Sequence, residues 1–378
     1  MSRFLLLLSV LLAAPLAAQT VTVETLVPRF SDIDDALALG PDGALYGSRF
    51  GSFPTPVGQT VTRVNLADGS TSLHADGFAR ANGLAFRPDG TLFVANYNTG
   101  IISRVAPNGA VFTYAQADNT VSGLLYDAAT STLYAASYDG NWVRIVNTDG
   151  TFTDVVSVNR PAGMALDAQG RLHVAGFESG RIYRVENGTR DQIANLNTRL
   201  GFLAYGGGRF FATGIDDHVI YAITPEGETS TLAGSGFFGT VDGPGETARF
   251  NRPNGIVATA DGDTLYVSEA GQRAVRRVLI SAATAAEDEP TELGIRLLDP
   301  APNPSAGRLA MRFVLGVPAE VALTIYDLLG RPVHMLASRT FVRGSHEVEL
   351  DATALPSGAY FVVLRSEGET RVRRFVRS

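Results

Sequence analysis

From residue 36 to about residue 280 the chain consists of short runs of alternating apolar and polar positions, broken at intervals by Gly, Asn and Asp. A side-chain period of two is that of a half-buried β-strand. The stretch GLAFRPDGTLFVANYNTGIISRVAPNGAVFTYA, starting at Gly83, holds four such runs. Turn residues part the first run from the second (Pro88-Asp89-Gly90) and the third from the fourth (Pro107-Asn108-Gly109). Such groups supply the positive φ that tight hairpins need. Related units start at Gly123, Gly163, Gly201 and Gly255, and a shorter one at Ala36. Four antiparallel strands recurring about every forty residues is the pattern of propeller blades. The last unit lacks a fourth strand, while the alternating run TVTVETLV at 20–27 belongs to no unit. That run is expected to supply the missing outer strand of a sixth blade, which leaves no open edge between the last blade and the first.

The two ends read differently. In residues 1–18, Arg3 precedes an apolar run at 4–14 and the small residues Ala17 and Ala18, the three parts of a secretory signal peptide. That run is too short to span a bilayer, and no later run is long and apolar enough, so no transmembrane segment is expected in the mature protein. Residues 281–294 (SAATAAEDEPTELG) carry no aromatic residue and no sustained period, and read as a flexible linker. From 295 to 378 strand-like runs return at the spacing of a β-sandwich. The predicted fold is all-β: a six-bladed β-propeller over 19–280, then a small C-terminal β-sandwich over 295–378.

Two stretches carry family resemblances. AGSGFFGTVDGPGETARFNRPNGIVATADGDTLYVSEAGQRAVRRV (233–278) resembles an NHL repeat, with Glu269 in place of the usual strand-end Asp and Gln272 in place of the usual Asn. Taken together, the blades also resemble the senescence-marker-protein (SMP-30) and gluconolactonase propellers, over roughly 20–280. The C-terminal stretch is similar to the type A sorting domain of type IX secretion. The motifs that carry this are Pro302-Asn303-Pro304, Ile325-Tyr326-Asp327 with Gly330, Leu355-Pro356-Ser357-Gly358-Ala359-Tyr360 and the closing run 371–377. This resemblance implies passage through the periplasm, the type IX machinery as partner, and a final place outside the cell or on its outer surface.

Composition narrows the chemistry. There is no Cys, which excludes disulfides, thiolate metal sites and Cys nucleophiles. Every residue behind the count of 31 basic side chains is Arg, so Schiff-base and phosphate-loop lysines are also excluded. The net charge is −7, and the segment after 295 has more Arg than acid, so the propeller itself is distinctly acidic. An acidic domain argues against nucleic acid, whose phosphates need a basic footprint.

In a propeller the first strand of each blade lines a central channel, and the repeat therefore shows which residues converge at one mouth. Asp35, Asn82, Ser122, Ala162, Leu200 and Asn254 precede the first strands. Arg49, Asn96, Ser137, Gly176, Gly214 and Glu269 end the second strands. Oxygens of Asp35, Asn82, Asn254 and Glu269 suit a hard cation such as Ca²⁺, or else these residues cap turns. The gluconolactonase resemblance implies a divalent metal at this mouth, with Asp35, Asn82 and Asn254 at matching positions; Asp35 stands where that family has Glu. Arg80, Arg160 and Arg252, each three residues before a first-strand Gly, could with Arg49 favour an anionic small ligand, or form salt bridges between blades. Asp216, Asp217 and His218 share one loop near the mouth, but no nucleophile elbow accompanies Ser122 or Ser137. His173 reads as core. Tyr138 and Trp142 read as packed aromatics or as a sugar-stacking patch.

Two functions follow. The first is a secreted or cell-surface propeller that binds a small molecule, glycan or protein at the mouth. The second is a lactonase-like hydrolase in which Ca²⁺ or another divalent cation polarises a lactone carbonyl. Export yields the first test. Removing residues 295–378 should leave the protein in the periplasm with its propeller folded, as read by cell fractionation and limited proteolysis. Normal surface delivery of the shortened chain would refute the sorting assignment.

Overall fold

The computed structural model describes residues 19–282 apart from 52–57 and 119, and residues 295–377 apart from 299, 301, 302, 304, 306, 316, 329, 367 and 368. The expected signal peptide, most of the expected linker, Pro302 and Pro304 lie outside the described residues. The chain divides into two compact units, 1–282 and 283–378.

The first unit is a six-bladed propeller. Five four-stranded antiparallel sheets follow one another along the chain. Their inner strands are Leu37–Leu39, Ala81–Phe86, Gly123–Asp127, Pro161–Leu166 and Leu200–Gly206. The sixth blade runs Pro253–Ala258, Thr264–Glu269, Val275–Ala282 and then Gln19–Val27, with the short strand Gly243–Pro244 outside it. The first strand of the unit is therefore the outer strand of its last blade. It pairs antiparallel with the third strand from Gln19↔Ala282 to Val27↔Val275. Ser281 and Ala282, expected in the linker, belong to this blade, because Thr20 and Gln19 give them partners.

Among the described residues the core is divided. Each pair of neighbouring blades shares its own apolar wedge. Blades one and two meet over Tyr46, Phe78, Leu84 and Leu92, and blades five and six over Phe211, Ile220, Phe250 and Leu265. The ring closes through Val27, Ile33, Leu45, Tyr266 and Val275, which join blade six to blade one. Alternation in each strand is what arms both faces of a blade, since successive side chains point to opposite faces.

Near the axis the wedges narrow and backbone meets backbone. A Cβ on Gly255 would lie 2.1 Å from the Asp35 carbonyl oxygen of the next blade, and one on Gly123 would lie 2.3 Å from that of Ala162. Hydroxyls bridge joints of this kind. Ser268 donates to the Asp35 carbonyl at 2.6 Å and accepts from Gly255 N–H at 2.8 Å, while Thr213 donates to the Asn254 carbonyl at 2.6 Å.

The second unit is a sandwich of two sheets. One holds Ile295–Leu297, Arg308–Leu315 and Gly344–Asp351; the other holds Pro332–Phe341, Ala319–Tyr326, Gly358–Ser366 and Glu369–Arg377. Leu309, Met311 and Phe313 face Val321, Leu323, Ile325 and Val362 in one buried cluster.

The axial contacts make a definite prediction. Gly255→Ala should lower propeller stability by about 1–3 kcal/mol, the usual cost of forcing an atom into a packed site. Urea unfolding measures it, and an unchanged midpoint would show that the inner strands can spread.

Candidate functional site

First strands begin, and second strands end, on one side of the ring, here called the mouth. Three groups of side chains meet there.

The first group lies at the strand starts. Asn254 donates from its Nδ2 to Asp35 Oδ1 at 3.0 Å across the joint between blades six and one. Asp35 is buried, and burial followed by repulsion from Asp34 pushes its carboxyl well above the usual aspartate range. Asp34 is also raised by burial, although it accepts the Phe50 N–H at 2.6 Å and the Gly51 N–H at 3.1 Å. Asn82 is buried in blade two. The fit to a divalent cation is poor. Ca²⁺ takes six to eight oxygens, whereas Asn254 turns an N–H toward Asp35 and Asp34 is engaged by backbone donors. Among the described residues no three His, Asp or Glu gather as a metal-holding group.

The second group ends the second strands, and its polar members are structural. Glu269, expected at the mouth, is fully buried. Its Oε1 accepts from Arg276 at 2.8 Å and from Asn251 N–H at 3.1 Å, and its Oε2 accepts from the Thr240 hydroxyl at 2.6 Å. Arg276 goes on to the carbonyls of Arg249 and Val241 and to Asp242 at 2.7 Å, and Asp242 accepts from Thr25 of the closing strand. This network fastens the glycine-rich loop before blade six. Asn96 holds Ala79 N–H, the Ile101 carbonyl and the Ser103 hydroxyl. Blade one ends its second strand at Ser48, so Arg49 falls one residue beyond it, where it pairs with Asp32.

The third group was not singled out as a set from the sequence. Just past the second strands of blades one to four stand Phe50, Tyr97, Tyr138 and Phe177, all partly buried. Their ring centroids follow one another at 5.2, 6.4 and 5.6 Å, forming a continuous row from blade to blade. Ile215 and Ala270 hold the same place in blades five and six, and both are aliphatic. Arginines staple the row. Arg80 lies 5.0 Å from the Phe50 ring, Arg160 5.1 Å from Tyr138 and Arg199 6.0 Å from Phe177, each reaching back to the preceding blade. Arg80, Arg160 and Arg252 share a left-handed backbone, with φ of +61°, +46° and +54°. The Arg80 carbonyl accepts the Tyr97 N–H at 3.1 Å, and the Arg160 carbonyl accepts that of Phe177 at 2.9 Å. Arg160 pairs with Glu178, and Arg199 with Asp216 through Nε at 2.6 Å. Tyr138 donates its hydroxyl to Glu178 at 2.8 Å. Burial and this carboxylate push the phenol up to about 12, so it stays a donor. Arg252 is exposed and forms no ion pair among the described residues.

Other candidates are occupied. Ser122 donates to the Ala136 and Pro161 carbonyls, Asp217 accepts from Tyr221, and His218 Nδ1 accepts the Arg252 N–H, so no Ser-His-Asp relay forms. His173 is buried against Phe210, and Trp142 against Phe152. Away from the mouth, the far halves of the inner strands line an open cavity of about 420 Å³, with Leu39, Phe86, Tyr126, Leu166, Tyr205 and Val257 among the residues around it.

Residues 301–378 match the secretion system C-terminal sorting domain family. This is the type IX sorting tail, and it directs the protein to secretion and the outer cell surface. The rest of the chain is similar in fold to solved propellers. An auxiliary nutrient binding protein from Bacteroides thetaiotaomicron is 14% identical with a TM-score of 0.59, over 70% of this chain and 77% of that one. A catalytically inactive virginiamycin B lyase from Staphylococcus aureus, solved with quinupristin, is 15% identical at 0.50, over 68% and 99%. A putative gluconolactonase is 14% identical at 0.53, over 69% and 92%. At these identities the likeness is one of fold. No curated protein matches the chain. The protein is thus an exported β-propeller with a type IX sorting tail, and a putative gluconolactonase is among its structural neighbours.

The buried carboxyl of Asp35 gives a pH test. Its folded value is raised, so the native state binds more protons than the unfolded chain above the ordinary aspartate value of about 3.9. Its contribution is favourable below that value and is lost as pH rises through the folded one. Asp35→Asn should therefore raise the melting temperature at pH 8 and change it little near pH 3. A less stable variant at pH 8 would mean that the native site needs the charged carboxylate.

Proposed function

We propose that this protein is a cell-surface binding propeller whose mouth takes a ligand against the row Phe50, Tyr97, Tyr138 and Phe177. The observation that carries the reading is this row: four partly accessible rings on consecutive blades, with arginines over Phe50, Tyr138 and Phe177. Aromatic rings give large contact area with few rotatable bonds. Arg80 and Arg160 belong to the site as partners of the rings, and Arg252, exposed and in the field of Asp216, stands at its end. Glu269, Asn96 and Arg49 have structural partners and are placed outside it. The Bacteroides thetaiotaomicron neighbour is an auxiliary nutrient binding protein, which agrees with a binding function.

The lactonase-like alternative needs a divalent cation at Asp35, Asn82 and Asn254, and the donors there suit one poorly. The test is direct. Purified protein with millimolar Ca²⁺ or Zn²⁺ should show no rise in melting temperature and no hydrolysis of gluconolactone. A calcium-dependent rise that Asp35→Ala removes, with lactone turnover, would replace the binding reading by the hydrolase.

A further inference from the structure

The charges around the row define what it can accept. Arg160 is matched by Glu178 and Arg199 by Asp216, and all four side chains remain partly exposed. Within each pair the charge cancels, yet guanidinium N–H groups and carboxylate oxygens still reach the solvent. The row between them is apolar. Along Tyr97, Tyr138 and Phe177 the site thus offers donors, acceptors and apolar ring surface together with these charges matched in pairs, and Arg252 stands beyond the end of the row in the field of Asp216.

We infer that the mouth binds a neutral oligosaccharide, laid along Tyr97, Tyr138 and Phe177; the inference rests on the mouth being the binding site. A sugar ring has an apolar C–H face for stacking and hydroxyls that both donate and accept. Glu178 and Asp216 can accept from hydroxyls, while Arg160 and Arg199 donate to them. An anionic sugar would have to open an ion pair, since one charge of each pair would then be left desolvated and unmatched. The acidic propeller repels polyanions at longer range as well. Neighbouring rings stand at 74°, 55° and 79° to one another, so each blade presents its own ring in its own orientation, and a ligand of several linked sugars that turns from one ring to the next is favoured over a single one.

Calorimetry on the full-length protein tests this, with xylohexaose, cellohexaose, mannohexaose and maltohexaose as neutral probes and oligogalacturonate as the anionic one. One neutral probe should bind, and Tyr97→Ala and Phe177→Ala should each weaken it about three- to tenfold. Glu178→Gln, which frees Arg160 without altering side-chain size, should weaken the neutral probe and admit oligogalacturonate. Circular dichroism and melting temperature confirm that each variant is folded. Wild-type binding of oligogalacturonate alone, lost in Arg252→Ala, would overturn the neutral class and leave the mouth as the site. Neutral binding unaffected by Tyr97→Ala and Phe177→Ala would overturn both. Failure of every probe at millimolar concentration would overturn the glycan class.

Discussion

Everything in the propeller depends on the pairing of Gln19–Val27 with Val275–Ala282. A blade by itself buries nothing, because its two faces are covered only by its neighbours. Six wedges of core exist because the ring is closed, and one strand closes it. Val23 and Val27 of that strand enter two different wedges, the first shared with blade five and the second with blade one. The buried pair Glu269–Arg276 adds a second fastening, since Arg276 also reaches Asp242 and Asp242 reaches Thr25 on the closing strand. A buried ion pair of this kind contributes little net stability, but losing one partner leaves the other charge stranded.

Closure also decides which residues are left for function. Where inner strands meet, polar groups are spent on the joints: Ser268 and Thr213 on neighbouring carbonyls, Asn254 on Asp35. One residue further from the axis the blades diverge, and side chains there need not satisfy the backbone. The aromatic row occupies that second circle. Its arginines reach between blades, so the same contacts that shape the surface also lock adjacent blades together.

The repeat made the fold legible. Pro88-Asp89-Gly90 and its counterparts mark the hairpins, and the strands lie within a residue or two of the alternating runs. The sandwich was equally plain, because Arg308–Leu315 and Ala319–Tyr326 alternate with few breaks. The site was less so. Asn82 and Asn254 are the second residues of their inner strands and Asp35 lies two residues before its own, yet sequence position cannot show that Asn254 presents an N–H to Asp35. Glu269 occupies a mouth-facing place in the repeat, but Arg276, seven residues on, is buried beside it and claims its carboxylate. The aromatic row left a signal that column-wise reading would catch: the residue after the second strand reads Tyr97, Tyr138, Phe177, Ile215, Ala270 in blades two to six. Blade one hides the pattern, since its strand ends early and Phe50 stands two places on.

The order of parts along the chain has a consequence for production. Glu24 of the first strand and Arg277 of its partner, an ion pair in the finished protein, are 253 residues apart. A chain that grows and crosses the inner membrane N-terminus first must keep that strand unpaired until all other blades have emerged. Such a long-range last step is slow, and it leaves an adhesive edge exposed meanwhile. The address for the outer membrane lies beyond Ala282, so it is synthesised only after the final closing partner. A molecule that carries the export address therefore already contains every blade, and one terminated before Val275 can neither seal nor leave.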